Sequence, residues 1–331
     1  MKNYTKLIFL MILISSTLIT ISANNWLGMW MGMEMNLMAF ISLMSKKGNK
    51  SSSQTMIMYF IIQSMGSLLF LVSILMSKFI LISPVMMNYI LKGLLISSMM
   101  MKLGATPFHN WVPEIMSNMN WIEIFILSTW QKIAPLFICS LFIMNSYLIT
   151  ISAISSTMIG AIGGIMFSSM RKIMAYSSIN HMGWMIMMMN MSMQWYWYMI
   201  IYSMMMFMLC ALFQNKNIYF INQSMIKSSL MDKMAMSVLL LSMGGMPPLL
   251  GFLLKWMVMQ MMIKNGMIMI MIIMIMMSML TLFFYIRMIS YSLLIYSTMS
   301  KWNMSSKIEH ISVMILIINI MLPIFSTFSF M

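Results

Sequence analysis

The sequence predicts an all-α polytopic membrane protein with about eleven transmembrane helices, and three observations carry that prediction. Of the 331 residues, 62% are hydrophobic and only 7% are charged. A soluble domain is about 25% charged, so no water-facing surface can be assembled from this composition. Eleven apolar runs come close to or exceed the roughly 20 residues that cross a bilayer as a helix. The connections are short, the longest covering about 214–233, and none is polar enough to be a separate soluble domain. In lipid only helices or closed barrels satisfy their own backbone, and the alternating strands of a barrel are absent from the pattern.

The first run, about 7–23, follows Lys2 and Lys6 and ends at Ile21-Ser22-Ala23. That pattern resembles a secretory signal peptide, but with ten more runs behind it the segment reads as a retained helix. The second, 26–44, is apolar apart from Glu34, and the third covers 56–77. The fourth, 85–107, carries Lys92 and Lys102 and closes on Gly104-Ala105-Thr106-Pro107. In the fifth, 121–144, Trp121 and Glu123 sit at an expected interface and Lys132 lies near the centre. The sixth covers 147–168. The seventh, 173–191, holds His181 among Ser177, Ser178 and Asn180, and the eighth covers 195–213. The ninth, 234–262, is interrupted by Gly244-Gly245-Met246-Pro247-Pro248 ahead of Lys255. Arg287 stands near the end of the tenth, 265–289, where it can snorkel to an interface. The eleventh run covers 308–330.

The formal net charge of +14 comes from 19 Lys and Arg against five acids. The basic residues lie in the gaps between apolar runs, which fits membrane topology and not nucleic-acid binding. If the N-terminus and every second loop share one side, that side carries Lys2, Lys6, Lys46, Lys47, Lys50, Arg171, Lys172, Lys216, Lys227, Lys233, Lys301 and Lys307. The other side carries only Lys78 and Lys264. By the positive-inside rule the N-terminus is expected inside and the C-terminus outside. Cys139 and Cys210 stand alone in apolar stretches, without metal spacing, and read as core residues. The 59 methionines read as flexible apolar filler. Clusters such as Met185 to Met189 lack the His or Cys that thioether copper ligation would add. A genome that reads an isoleucine codon as methionine, as many mitochondria do, would produce such an excess.

An ionisable group at the bilayer centre costs roughly 2.5–3.5 kcal/mol on the insertion scale, so its default reading is functional. Glu34, Lys102, Lys132, Lys255 and His181 are the candidates, for proton translocation. Proline removes a backbone donor and blocks the carbonyl four residues back, so the helices carrying Lys102 and Lys255 are expected to break beside them. These are the fourth and ninth helices, five apart and therefore opposite in direction. Two broken helices in corresponding halves point to inverted repeats with a site near the midplane. One transmembrane domain over 1–331 follows, with repeat one at about 7–144, repeat two at about 147–289 and an extra helix at about 308–330. Lysine in water titrates near about 10.4, too high to carry protons at neutral pH. Desolvation lowers that value and a nearby carboxylate restores it, so a buried lysine paired with Glu34, either Lys102 or Lys132, can hold and release a proton. Histidine can relay without such tuning.

Three stretches carry a resemblance: Leu103-Gly104-Ala105-Thr106-Pro107-Phe108-His109-Asn110-Trp111-Val112-Pro113-Glu114, Thr129-Trp130-Gln131-Lys132-Ile133-Ala134-Pro135, and Gly244-Gly245-Met246-Pro247-Pro248-Leu249-Leu250-Gly251-Phe252-Leu253-Leu254-Lys255-Trp256. With Trp26 to Asn36 and Ser177 to Trp184, they resemble, in order along the chain, the subunit 2 family of mitochondrial NADH:ubiquinone oxidoreductase, respiratory complex I, whose members are antiporter-like. The resemblance implies a core membrane-arm subunit that couples electron transfer from NADH to ubiquinone with proton translocation. It places Glu34 as the carboxylate, Lys102 and Lys255 as the broken-helix lysines and Lys132 as the connecting lysine. NADH, FMN, iron–sulfur clusters and ubiquinone are expected on other subunits, leaving this chain without a cofactor or redox centre. The implied setting is the mitochondrial inner membrane, N-terminus on the matrix side and C-terminus on the intermembrane-space side. The expected partners are other membrane-arm subunits, in an obligate hetero-oligomer, and phospholipids. The chain departs from the family at Met58, where a lysine usually partners the glutamate; Glu34 then couples directly to Lys102 or the pair is weakened. Gln54 stands where a glutamate is common. Two other readings are a stand-alone cation/proton antiporter and a structural brace with static lysines.

Overall fold

A computed structural model describes residues 3–45, 50–77, 84–142, 147–191, 194–223, 230–294 and 310–320. Among these residues the chain is built from helices, with one isolated bridge between Ser169 and Phe220. The helices are α1 (Asn3–Ser22), α2 (Trp26–Met44), α3 (Lys50–Ser77), α4 (Pro84–Leu103), α5 (Trp111–Asn118), α6 (Trp121–Ser128) and α7 (Trp130–Phe142). After them come α8 (Tyr147–Met166), α9 (Met170–Met191), α10 (Trp195–Lys216), α11 (Leu230–Gly244), α12 (Leu250–Lys264), α13 (Ile268–Leu294) and α14 (His310–Ile320). Among the described residues seven segments are long and apolar enough to cross a membrane: 4–22, 26–44, 50–77, 121–141, 147–166, 195–216 and 268–291.

The predicted runs and the helices agree closely at α1, α2, α8 and α10, and depart elsewhere for identifiable reasons. The run 85–107 stops at Leu103, because the Gly104 to Pro107 stretch leaves the helix, and the chain then forms α5, which hydropathy had not marked. The run 121–144 divides at Thr129 into α6 and α7, although 121–141 still makes a single segment long and apolar enough to cross a membrane. Pro135 inside α7 withholds a donor from the carbonyl of Gln131. The hydroxyls of Ser128 and Thr129 both bond back to the Phe125 carbonyl, at 3.1 and 2.7 Å, a pattern that bends helices. The run 234–262 breaks into α11 and α12 around Gly245 to Leu249, as its glycines and prolines predict. Of the run 308–330, residues 308–309 and 321–330 lie outside the described residues, as do Lys2, Lys46, Lys47, Lys78, Lys227, Lys301 and Lys307.

The two breaks close in the same way. After α4 the Gly104 N–H donates to the Met101 carbonyl at 3.3 Å and the Ala105 N–H to Met100 at 3.1 Å. After α11 the Gly245 N–H donates to Ser242 at 2.9 Å and the Met246 N–H to Leu241 at 3.2 Å. Both are Schellman caps. Gly104 has φ +67° and Gly245 φ +84°, a left-handed backbone that favours glycine.

Helix α9 occupies the centre. It packs against α5, α7, α8, α10 and α12, and 18 of its 22 residues are buried, including Met185 to Met189. Enclosed by protein, it needs no apolar face for lipid and can carry Ser177, Ser178, Asn180 and His181 inward. The methionines therefore serve as packing, and Cys139 and Cys210 are buried free thiols. Helices α1, α3 and α13 expose long apolar side chains such as Leu7, Ile57 and Phe283.

At one end three connections meet. Arg171 donates to the Met119 carbonyl at 2.9 Å and lies 4.7 Å from the Tyr219 ring centroid, and the Met170 N–H donates to the Tyr219 carbonyl at 2.9 Å. The alternate-loop count puts these connections on one side. Arg287 is half-buried near the end of α13. Its guanidinium donates to the carbonyls of Ile165 and Phe167 at 2.7 and 3.0 Å, binding α13 to the C-terminal end of α8, where a cation is favoured. Replacing it by methionine removes two charge-assisted hydrogen bonds of about 1.5–3 kcal/mol each. The Arg287→Met protein is expected to lose activity at a temperature several degrees lower, read as thermal inactivation; an unchanged profile would show the clamp to be dispensable.

Candidate functional site

Lys102 occupies the last turn of α4 and is only 6% exposed; Lys132 and Lys255 are each 4% exposed and His181 1%. Four ionisable side chains are thus withdrawn from both lipid and water. Charges this deep need polar company, and the helix breaks supply it.

The stem of Lys102 runs past Gly66 of α3, and its own carbonyl accepts from Gln63 Nε2 at 3.2 Å. Beside it is a cavity of roughly 10 Å³ lined by Tyr59, Gln63, Lys102, Gln131, Lys132 and Ser178 among others, about the room one water requires. Lys132 borders the same space. Its Nζ donates to the Ser178 carbonyl of α9 at 3.2 Å and stands 5.6 Å from the centroid of the Tyr202 ring. A chain of amides and a phenol leads there from α2: Gln131 Nε2 donates to Asn36 Oδ1 at 2.9 Å, and the Tyr59 hydroxyl donates to Gln131 Oε1 at 3.2 Å.

Glu34 is half-buried on α2, and its Oε1 is buried without a hydrogen-bond partner. Its charge reaches Lys102, but it makes no ion pair with Lys102 or Lys132. Met58, where the resemblance leads one to expect a lysine, is partly buried and packs against the apolar core.

His181 lies in the centre of α9. Its Nδ1 lies 2.8 Å from the Tyr198 hydroxyl, its ring packs against that of Tyr202 at 5.0 Å, and it is within electrostatic reach of both Lys132 and Lys255. Lys255, on α12, turns back to donate to the carbonyl of Gly244, the last residue of α11, and its Nζ stands 6.0 Å from the Trp184 ring centroid. The break thereby provides the acceptor. A Cβ at Gly245 would come within 2.8 Å of the Lys255 side chain, so this glycine answers both the turn and the lysine.

The five sequence-predicted residues therefore stand in order: Glu34 acts on Lys102, Lys102 and Lys132 share a cavity, and Lys132 and Lys255 flank His181. Other intramembrane charges fall outside this line. Lys92 is exposed on α4. Glu123 closes a capping box at the start of α6, accepting from the Asn120 N–H at 2.9 Å. Sequence reasoning missed Asn36, Tyr59, Gln63, Gln131, Tyr198 and Tyr202. Their one signal was polarity within apolar runs, which does not distinguish a site from a self-satisfied hydroxyl or amide. Among the described residues no three His, Cys, Asp or Glu side chains are grouped as a metal site.

Comparison with known proteins adds the following. The family model described as NADH:quinone oxidoreductase/Mrp antiporter, TM, matches residues 23–281. The NADH-ubiquinone oxidoreductase chain 2 of Anopheles gambiae is 41% identical over 332 residues, covering 97% of this chain and 96% of the relative. That of Locusta migratoria is 38% identical over 325 residues, covering 94% and 92%. In fold, the chain is similar to one in the structure of respiratory complex I from Thermus thermophilus with bound aureothin. The TM-score is 0.83 at 15% identity, covering 98% of this chain and 79% of that one.

Proposed function

The chain belongs to the NADH:quinone oxidoreductase/Mrp antiporter family, among the NADH-ubiquinone oxidoreductase chain 2 proteins, and from this premise we propose that it is a membrane-arm subunit of respiratory complex I that moves protons and carries no redox centre. The observation that carries this reading is the ordered line of withdrawn charges from Glu34 to Lys255. A remote redox step alters charge along the membrane arm. Glu34 transmits the change to Lys102 through space, and the proton held on Lys102 passes across the cavity to Lys132, then by His181 to Lys255. NADH, FMN, iron–sulfur clusters and ubiquinone act on other subunits.

The same reading assigns eleven spans in two inverted repeats, about 7–144 and 147–289, with an appended helix at about 308–330. The like-built Schellman caps at Gly104 and Gly245 support it. It assigns the mitochondrial inner membrane, the N-terminus to the matrix and the C-terminus to the intermembrane space. The meeting of the connections at Met119, Met170 and Tyr219 supports that sidedness. The partners are other membrane-arm subunits and phospholipids.

Blue-native separation of mitochondrial membranes with mass spectrometry tests the assembly: the chain should migrate in a very large, NADH-oxidising band. Recovery as a monomer or dimer would favour the stand-alone cation/proton antiporter instead. In the assembled complex, Lys132→Met should abolish most proton uptake per NADH oxidised while leaving Tyr59 and Gln131 paired. Undiminished uptake would favour static lysines in a structural brace.

A further inference from the structure

Lys132 stands in the first turn of α7, and the backbone there is loosened in three ways. The Gln131 carbonyl lacks its helical donor, because Pro135 stands four residues on. The Lys132 N–H donates to the Thr129 carbonyl at 3.2 Å, the three-residue bond of a 3₁₀ turn, whose geometry is poorer than that of the α-helix. Thr129 itself, between α6 and α7, has φ −117°, well off helical values.

A side chain makes up for this. Gln131, next to Lys132, reaches two other helices: its Nε2 donates to Asn36 Oδ1 on α2 at 2.9 Å, and its Oε1 accepts from the Tyr59 hydroxyl on α3 at 3.2 Å. We propose that Gln131 is a positioning residue for proton transfer. Clamped between α2 and α3, its amide holds the first turn of α7 where Lys132 borders the cavity it shares with Lys102 and reaches the Ser178 carbonyl. The inference rests on the proton-translocating reading of the chain.

The anchors of the clamp are themselves fixed. Asn36 is 4% exposed and Tyr59 2%. The Tyr59 ring meets Phe40 edge-on at 5.1 Å and Trp111 at 6.1 Å, so the phenol is held between two aromatic neighbours. Both bonds join neutral groups, an amide to an amide and a phenol to an amide. An ion pair would tie the position of Lys132 to its charge, since charged hydrogen bonds are about twice as strong as neutral ones. A neutral clamp keeps its strength whether Lys132 holds a proton or has released it. Geometry of this kind matters to transfer, where a misplacement of about 1 Å can cost up to about a hundredfold in rate. Asn36 also stands two residues beyond Glu34, so the clamp ties the helix of the carboxylate to the turn of the lysine.

The test uses the assembled complex in proteoliposomes, with proton uptake read per NADH oxidised and Lys132→Met marking the share that passes through this chain. Gln131→Leu removes both bonds and is expected to lower that share about tenfold, the counterpart of two neutral hydrogen bonds. Asn36→Leu removes one bond and is expected to lower it about threefold. Asn36 is not among the residues lining the cavity, so its effect has to pass through Gln131. An amide that only stabilised the fold would lower the yield of complex and leave the ratio unchanged. Pro135→Ala returns a donor to the Gln131 carbonyl, and in the Gln131→Leu background it is expected to raise uptake about threefold. Full uptake by Gln131→Leu, or a loss that Pro135→Ala leaves unchanged, would overturn the clamp, and a loss in Lys132→Met would still uphold the wider reading. Full uptake by Lys132→Met would overturn both. Should Gln131→Leu fail to assemble, Asn36→Leu decides: a lowered ratio supports the clamp, and a full ratio overturns it.

Discussion

A complex carrying Lys255→Met is expected to oxidise NADH with its proton uptake through this chain lost. Lys255 is the last residue of the proposed path, and it is only 4% exposed. Methionine matches the stem and fills the space, so packing against Trp184 survives. The change also strips the Gly244 carbonyl of its donor, and loss of a charged hydrogen bond costs about 1.5–3 kcal/mol. Stability and transfer would fall together, and Lys255→Gln separates them. Glutamine can still donate to Gly244 but cannot hold a transferable charge. The expected outcome is restored thermal stability without restored pumping, measured as inactivation temperature and as acidification per NADH. Pumping by Lys255→Gln at the unaltered rate would remove Lys255 from the path.

Gly251→Ala is expected to cost more than alanine at any other glycine described. Gly251 lies in the first turn of α12, and a Cβ there would fall onto the carbonyl of Ser242, with the Ser242 Cα at 3.3 Å. The obstacle is backbone, and Ser242 is fully buried in α11, so no side chain can rotate away. Overpacking usually costs about 1–3 kcal/mol, and a clash with fixed backbone belongs at or above the top of that range. Relief requires α12 to move off α11, and Lys255, one turn further along, moves with it. Assembled complex should fall sharply on blue-native gels, and any that forms should pump poorly. Normal yield and pumping in Gly251→Ala would show that α11 and α12 are not held in this contact.

Much of this architecture was legible in the residues. A bilayer turns length and hydropathy into near-sufficient evidence for a helix, which is why 26–44 and 147–166 could be read within a residue or two. Gly104 and Pro107, and Gly244 to Pro248, announced breaks because their backbone chemistry forbids continuation. The candidates Glu34, Lys102, Lys132, His181 and Lys255 were visible because each is costly in lipid. Helix α5 left a fainter sign, Pro113 in its first turn, and hydropathy passed over it because only eight residues are involved.

The sequence by itself determined the helical class, the two breaks at Gly104 and Gly245, and that Lys102, Lys132, His181 and Lys255 must be hidden. Tertiary structure alone decided what those charges meet: the Ser178 and Gly244 carbonyls, the Tyr198 hydroxyl, the shared cavity, and the distance kept between Glu34 and the lysines. The reason is physical. In a soluble helix a polar face marks the outside, but lipid and protein interior are both apolar, so a membrane helix carries little sign of which face it turns to a neighbour. Only packing makes that choice.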